Sequence, residues 1–241
     1  RRIFELITFG FELEMLKLHM RIIQPEVAGF LVAEATSTYQ AVNQGQLTRS
    51  KPAVLSEVLG NGTFPSDLAA LLTVRVLHAE FEVPRCKATR EARVAGPHGC
   101  WEARHRQVLL ELLFAVAGDD DLALLADVDE IASPHAVRLL RRCAVLQSAA
   151  APEAPHKLTL QAFSVMYGVH CWPGRATWFA PHAFSVSWLR QRMLHDSPPM
   201  SAIGFLDTRA DVHHGPLVLS AAWHFTSVGA PWQLQRKLRT W

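Results

Sequence analysis

The hydrophobic pattern alternates between strand-like and helix-like segments through the first 150 residues. Arg2 to Phe9 carries Ile3, Phe4, Leu6, Ile7 and Phe9 and predicts a strand. Glu12 to Ile23 repeats Leu13, Leu16 and Met20 at helical spacing, and Pro25 ends that helix. Ala28 to Ala35 is almost continuously apolar, as a strand covered on both faces would be. Thr36 to Lys51 is polar, and Thr73 to Ala79 predicts another strand. Phe81 to Cys100 mixes Pro, Gly and basic residues and reads as a long, mobile loop.

Trp101 to Ala117 has a helical apolar face of Val108, Leu109, Leu112, Leu113 and Val116, stopped by Gly118. Asp119, Asp120 and Asp121 read as an exposed turn before a short buried strand, Leu122 to Ala126. Ser133 and Pro134 supply a cap and first position for a helix over Pro134 to Gln147. An Ala/Pro linker follows over Ala149 to Pro155. Leu158 to Tyr167 and Leu217 to Phe225 read as later strands, and Trp232 to Leu238 as a terminal helix. The alternation predicts an α/β fold with a mostly parallel central sheet flanked by helices.

Composition narrows the function classes. About half of the 241 residues are apolar, so the chain can bury one large core. The net charge of +2 and the scattered arginines argue against a nucleic-acid partner. The longest apolar run, Val108 to Ala117, contains Glu111 and is too short by roughly half to cross a bilayer. The chain starts at Arg1, so it reads as an excised domain whose anchor, if present, lies outside it. Four cysteines form no C-x-x-C pair. Cys86 and Cys100 are the better disulfide candidates, and Cys143 reads as a buried helical thiol. Asn61–Gly62–Thr63 is a glycosylation sequon.

The chemistry concentrates in Asp127–Val128–Asp129–Glu130, where a buried strand runs into carboxylates. In an extended segment alternate side chains share a face, so Asp127 and Asp129 are expected to point together. They would stand at the carboxyl end of a strand, where open α/β sheets bind ligands. Two close carboxylates are best tolerated around a divalent cation, and Mg²⁺ or Mn²⁺ is usually held by one or two carboxylates plus substrate phosphates. An Asp-x-Asp triplet on its own is more often a solvated turn or cap.

Several strings together resemble glycosyltransferase family 17: "FELEMLKLHM", "AGFLVAEATST", "VLGNGTF", "LALLADVDEIASP", "MYGVHCW" and "GPLVLSAAWHFTSVGAPWQLQRKL". The sequence departs from the family pattern at His19, usually arginine, at Ala132, usually proline, and at Ala222, often glycine. The Thr36 to Lys51 region carries an insertion. The resemblance implies a GT-A-like nucleotide-diphospho-sugar transferase fold in one catalytic domain over 1–241. Residues 1–148 would form the donor and metal half and 149–241 the acceptor half. It implies inverting transfer of N-acetylglucosamine from UDP-N-acetylglucosamine to the β-linked core mannose of an N-glycan on a glycoprotein, forming a bisecting residue. It further implies Mn²⁺ or Mg²⁺ as cofactor and a lumenal domain at the Golgi membrane.

In that frame Asp127, Asp129 and Glu130 are the catalytic candidates, and Asp127, Asp129 and His224 the metal ligands, with Asp129 the favoured direct one. Glu34, Asp127 and Lys237 are assigned to the donor, with Arg236 as a further phosphate contact. Tyr167 and Trp172, with Trp178, form the acceptor platform, since sugar C–H faces pack on aromatic rings. Glu153, Asp196, Asp207 and Asp211 are carboxylates available as a general base, and none is singled out. The competing readings are a metal-dependent phosphohydrolase and a catalytically degenerate carbohydrate-binding domain. The first would want further regularly spaced ligands, and only His213–His214 stand out.

Overall fold

The computed structural model describes residues 1–38, 41–42, 51–82, 90–143, 145–146, 153–165, 177–195 and 216–225, without the side chains of 90–100, 177, 194 and 195. Eight strands form one sheet: β1 (Ile3–Phe9), β2 (Gly29–Ala35), β3 (Leu72–Leu77), β4 (Leu122–Asp127), β5 (Glu130–Ala132), β6 (Lys157–Ser164), β7 (Thr177–Ser185) and β8 (Leu217–His224). The helices are α1 (Leu13–Ile23), α2 (Val54–Gly60), α3 (Ser66–Ala69), α4 (Arg90–Val116), α5 (Pro134–Arg142) and α6 (Val186–His195).

The strand order is β3-β2-β1-β4-β7-β6-β8-β5. The four strands β3, β2, β1 and β4 pair in parallel. Beyond β4 the sheet is mixed: β7 is antiparallel to β4 and β6, β8 is parallel to β6, and β5 is antiparallel to β8. Only Val128 and Asp129 separate β4 from β5, yet three strands lie between them in the sheet order. Two residues reach only about 7 Å. The sheet therefore curls back on itself, and the Val128–Asp129 turn closes the curl.

Two apolar layers cover the parallel half. On one face Ile3, Ile7, Phe30, Val32 and Leu124 pack with Leu16, Met20 and Ile23 of α1 and with Val137 and Leu140 of α5. On the other, Phe4, Leu6, Leu31 and Leu125 pack with Trp101, Val108, Leu109 and Leu113 of α4 and with Leu189 of α6. This double covering is why β1 and β2 read as nearly unbroken apolar runs.

Several elements differ from the sequence reading. The basic stretch read as a loop through Cys100 is already helical from Arg90, so α4 starts eleven residues before Trp101. The α5 helix ends at Arg142, and Cys143 is its exposed C-terminal cap with a free thiol instead of a buried helical one. Asp121 is buried, not an exposed turn residue. It accepts from the Gly118 N–H at 2.8 Å, the Arg2 N–H at 3.0 Å and the Arg2 guanidinium at 2.7 Å, pinning the starts of β1 and β4. The sequence pattern predicts neither β7, whose Thr177–Ser185 carries a proline and no clean alternation, nor the α6 that follows it. Cys86 and the expected terminal helix lie outside the described residues, and the Cys100 side chain does too.

Candidate functional site

The acidic motif lies at the carboxyl end of β4, as the sequence led us to expect, but its side chains diverge. The extended strand ends at Asp127, and Val128–Asp129 form a turn, so the two-residue repeat of a strand does not continue through the motif. Asp127 Oδ1 accepts from the Thr8 hydroxyl at 2.6 Å and lies 3.7 Å from the Arg106 guanidinium of α4. Thr8 and Asp127 are register partners at the ends of β1 and β4. The buried Arg106 also donates to Glu102 at 3.1 Å. Beside it, burial pushes His105 down to about 4, with the charges of Lys51 and Arg106 acting in the same direction and the Trp101 carbonyl against it. The His105 imidazole is therefore neutral near pH 7, and its Nδ1 meets the Trp101 carbonyl at 2.8 Å.

Asp129 belongs to a different group. The pairing of β5 with β8 sets Glu130 opposite His224. The Phe225 N–H donates to the Asp129 carbonyl at 2.8 Å, and the Val165 N–H to the His224 carbonyl at 2.7 Å. These bonds fix the His224 backbone from both sides, and His224 Nε2 comes within 3.9 Å of Asp129 Oδ2. Between Val218 and Ala222 the strand β8 bulges against β6, with Ser220 at φ 53°, before it meets β5.

Glu130 is buried and its two carboxylate oxygens are engaged. Oε2 accepts from the Asp127 N–H at 2.8 Å, and Oε1 from the Trp178 indole N–H at 2.6 Å. The Trp178 ring stacks on His224, with centroids 4.5 Å apart and planes 18° from parallel. Glu130 therefore clamps the motif's backbone and a neighbouring strand, which is a holding role and not that of a free acid or base.

The predicted trio of metal ligands does not form one cluster. Among the described residues no group of three His, Cys, Asp or Glu side chains could hold an ion. Asp127 is turned to Thr8 and Arg106, whereas Asp129 and His224 approach each other. The pair fits a divalent cation. Two atoms each about 2.1 Å from one ion stand at most about 4.2 Å apart, and hard cations complete their shell with water and phosphate. The structure thus brings Asp129 and His224 together and sets Asp127 apart.

Glu34, expected at the donor, has backbone partners. It is fully buried at the end of β2, and its carboxylate accepts from the backbone N–H groups of Leu55 at 2.8 Å and Ser56 at 3.0 Å. It caps the start of α2 from across the fold. Lys237, Arg236, Tyr167, Trp172, His213, His214, Asp196, Asp207 and Asp211 lie outside the described residues. Glu153 is exposed.

The sequence reading missed Thr8, Arg106 and the role of His19. Thr8 could have been found by aligning the ends of the predicted β1 and β4. Arg106 carried no local signal, because a single arginine on an amphipathic helix looks like solvated surface. His19 is buried in α1, with Nδ1 2.9 Å from the Val128 carbonyl and Nε2 2.8 Å from Glu5 Oε1.

Comparison with known proteins gives a family. Comparison with curated protein sequences finds no match. Among solved structures, the chain is similar to a 4-diphosphocytidyl-2C-methyl-D-erythritol synthase at 14% identity, covering 99% of this chain and 97% of that one, with a TM-score of 0.45. It is similar to glucosyl-3-phosphoglycerate synthase from Mycobacterium tuberculosis, solved with Mn²⁺, UDP and glucosyl-3-phosphoglycerate, at 13% identity, 99% and 77% coverage and a TM-score of 0.40. It is also similar to S. aureus TarS at 12% identity, 99% and 39% coverage and a TM-score of 0.42. The profile described as Glycosyltransferase family 17 matches residues 1–192, a segment that contains the whole Asp127–Glu130 motif and stops before His224. With four-fifths of its length matched, the chain belongs to glycosyltransferase family 17.

Proposed function

We propose that this chain transfers N-acetylglucosamine from UDP-N-acetylglucosamine to the β-linked core mannose of an N-glycan, with inversion and with the help of Mn²⁺ or Mg²⁺. Family membership supports glycosyl transfer. The donor, the acceptor and the bisecting product are the finer reading, carried by the strings that resemble the family. The observation that carries the metal-assisted part is the approach of His224 Nε2 to Asp129 Oδ2 at 3.9 Å, at the carboxyl end of β4.

In this reading Asp129 and His224 hold the cation, which when bound neutralises the diphosphate and the charge left on the departing nucleotide. Glu130 and Trp178 hold those two ligands in place. Thr8 and Arg106 fix the Asp127 carboxylate, which is assigned to the donor. Acceptor recognition is proposed for the segment bearing Tyr167 and Trp172, and donor phosphate contact for Lys237. The proposed N-glycan acceptor and nucleotide-sugar donor go with a lumenal domain at the Golgi membrane, which belongs to the same proposal.

The test is a panel of nucleotide sugars with Mn²⁺, with and without EDTA, and a biantennary N-glycan as acceptor. UDP-N-acetylglucosamine should be consumed with formation of a bisected product, EDTA should stop the reaction, and Asp129→Ala should abolish it. Full turnover by Asp129→Ala, or turnover indifferent to EDTA, would refute the metal-assisted reading.

A further inference from the structure

Trp178 was expected on the acceptor side, as an aromatic surface for a sugar. Its contacts point elsewhere. The indole N–H is committed to Glu130 Oε1 at 2.6 Å, and one ring face is committed to the His224 imidazole at 4.5 Å. Glu130 in turn holds the Asp127 N–H and is the register partner of His224 across β5 and β8. The contacts form a closed circuit: Asp127 backbone to Glu130, Glu130 to Trp178, Trp178 to His224, and His224 to Asp129. Trp178 is the only member of the circuit from β7. It ties the motif to β8 without adding charge.

We infer that Trp178 is a positioning residue that sets the plane of the His224 imidazole, and so directs Nε2 toward the cation position beside Asp129. The inference rests on the metal-assisted reading proposed above. An imidazole ligates through a lone pair in its own plane, so a rotation about its side-chain bonds moves the lone pair off the ion. Stacking at 18° restricts that rotation. The π-face of indole also favours a ring that becomes electron-poor when its nitrogen is ligated. Holding Glu130 fixes the indole in turn, so the hydrogen bond and the stack act as one device. Groups that orient a ligating histidine typically change metal affinity by about 10–100-fold when removed.

The experiment measures Mn²⁺ binding directly, by the loss of the free-ion paramagnetic resonance signal, in the protein without donor or acceptor. Wild type, Asp129→Asn, Trp178→Phe and Trp178→Leu are compared, each first checked for a cooperative thermal transition. Trp178→Phe keeps an aromatic face and loses the N–H donor, whereas Trp178→Leu loses both. The expected result is Mn²⁺ binding weakened about 10-fold by Trp178→Phe and up to about 100-fold by Trp178→Leu. The acceptor KM at saturating Mn²⁺ should stay near the wild-type value. Wild-type Mn²⁺ affinity in both folded Trp178 variants overturns the inference, as does a change confined to acceptor KM. If Trp178→Leu does not fold, Trp178→Phe decides alone. Wild type that takes up no Mn²⁺, or Asp129→Asn that takes it up unchanged, overturns the proposed function and this inference together.

Discussion

His19 Nδ1 lies 2.9 Å from the carbonyl oxygen of Val128, the central residue of the acidic motif. A carbonyl only accepts, so Nδ1 carries the proton. Nε2 faces Glu5 Oε1 at 2.8 Å, and neither side chain is exposed. The turn that separates Asp127 from Asp129 is thus held from beneath by a buried pair on α1 and β1. Removing one partner of a buried pair leaves the other uncompensated and costs about 3–5 kcal/mol. Glu5→Gln and His19→Leu should each lower stability by about that amount in chemical denaturation. A loss below about 1 kcal/mol in both would mean that water or relaxation replaces the pair.

The same pair predicts a pH dependence. Burial alone would lower the His19 pKa, but the charge and hydrogen bond of Glu5, with the Val128 carbonyl, leave it above its ordinary value. Burial raises Glu5, with His19 opposing. A raised pKa means that the folded state binds its proton more tightly. The His19 contribution is therefore complete below about pH 6.5 and is lost as the pH climbs through the raised folded value. The denaturation midpoint should fall over that alkaline range in wild type and fall less in His19→Gln. Equal slopes in the two proteins would count against the pair as the source.

Asp121 predicts the opposite limb. Although burial works against it, hydrogen bonds from Arg2 and Gly118 hold its carboxyl below the usual range. Its contribution is present above about pH 3.9 and disappears as the pH falls through the lowered folded value. Asp121→Asn should cost about 1.5–3 kcal/mol at neutral pH and flatten the acid limb of the stability profile. An unchanged acid limb would place the acid sensitivity elsewhere.

Glu34 separates a structural role from a donor-binding one. Its two bonds to the Leu55 and Ser56 N–H groups make it a cap for α2. Glu34→Ala leaves those groups unsatisfied and should cost about 1–3 kcal/mol, with the donor KM unchanged below the melting transition. A large rise in donor KM at unchanged stability would instead support the donor role.

Glu130, a catalytic candidate in the sequence, can be tested as a clamp against a titrating role. Glu130→Gln puts an amide where two N–H donors converge, so one of them loses its acceptor. Turnover should drop by about 10–100-fold with the shape of the pH–rate profile preserved. Loss of one limb of that profile would instead identify Glu130 as the titrating group.

The parallel half of the sheet and the place of the acidic motif are legible along the chain. Runs such as Ile3–Phe9 and Gly29–Ala35 are apolar on both faces, and only strands covered by helices on both sides satisfy them. The Ser133–Pro134 start of α5 was legible because capping is local, and the Ser133 hydroxyl does accept from the Ala136 N–H at 3.1 Å. Tertiary structure decided which carboxylates work together. Asp127 and Asp129 are two residues apart, yet a turn sends one to Thr8 and Arg106 and the other to His224. The pairing of β5 with β8 brings Glu130 opposite His224, and no local pattern encodes that register. Glu34 looked like a ligand at a strand end, and became a helix cap because α2 happens to start beneath it. Periodicity and capping act over a few residues and can be read along the chain. Partners for buried polar groups are chosen across the sheet, and only the closed fold supplies them.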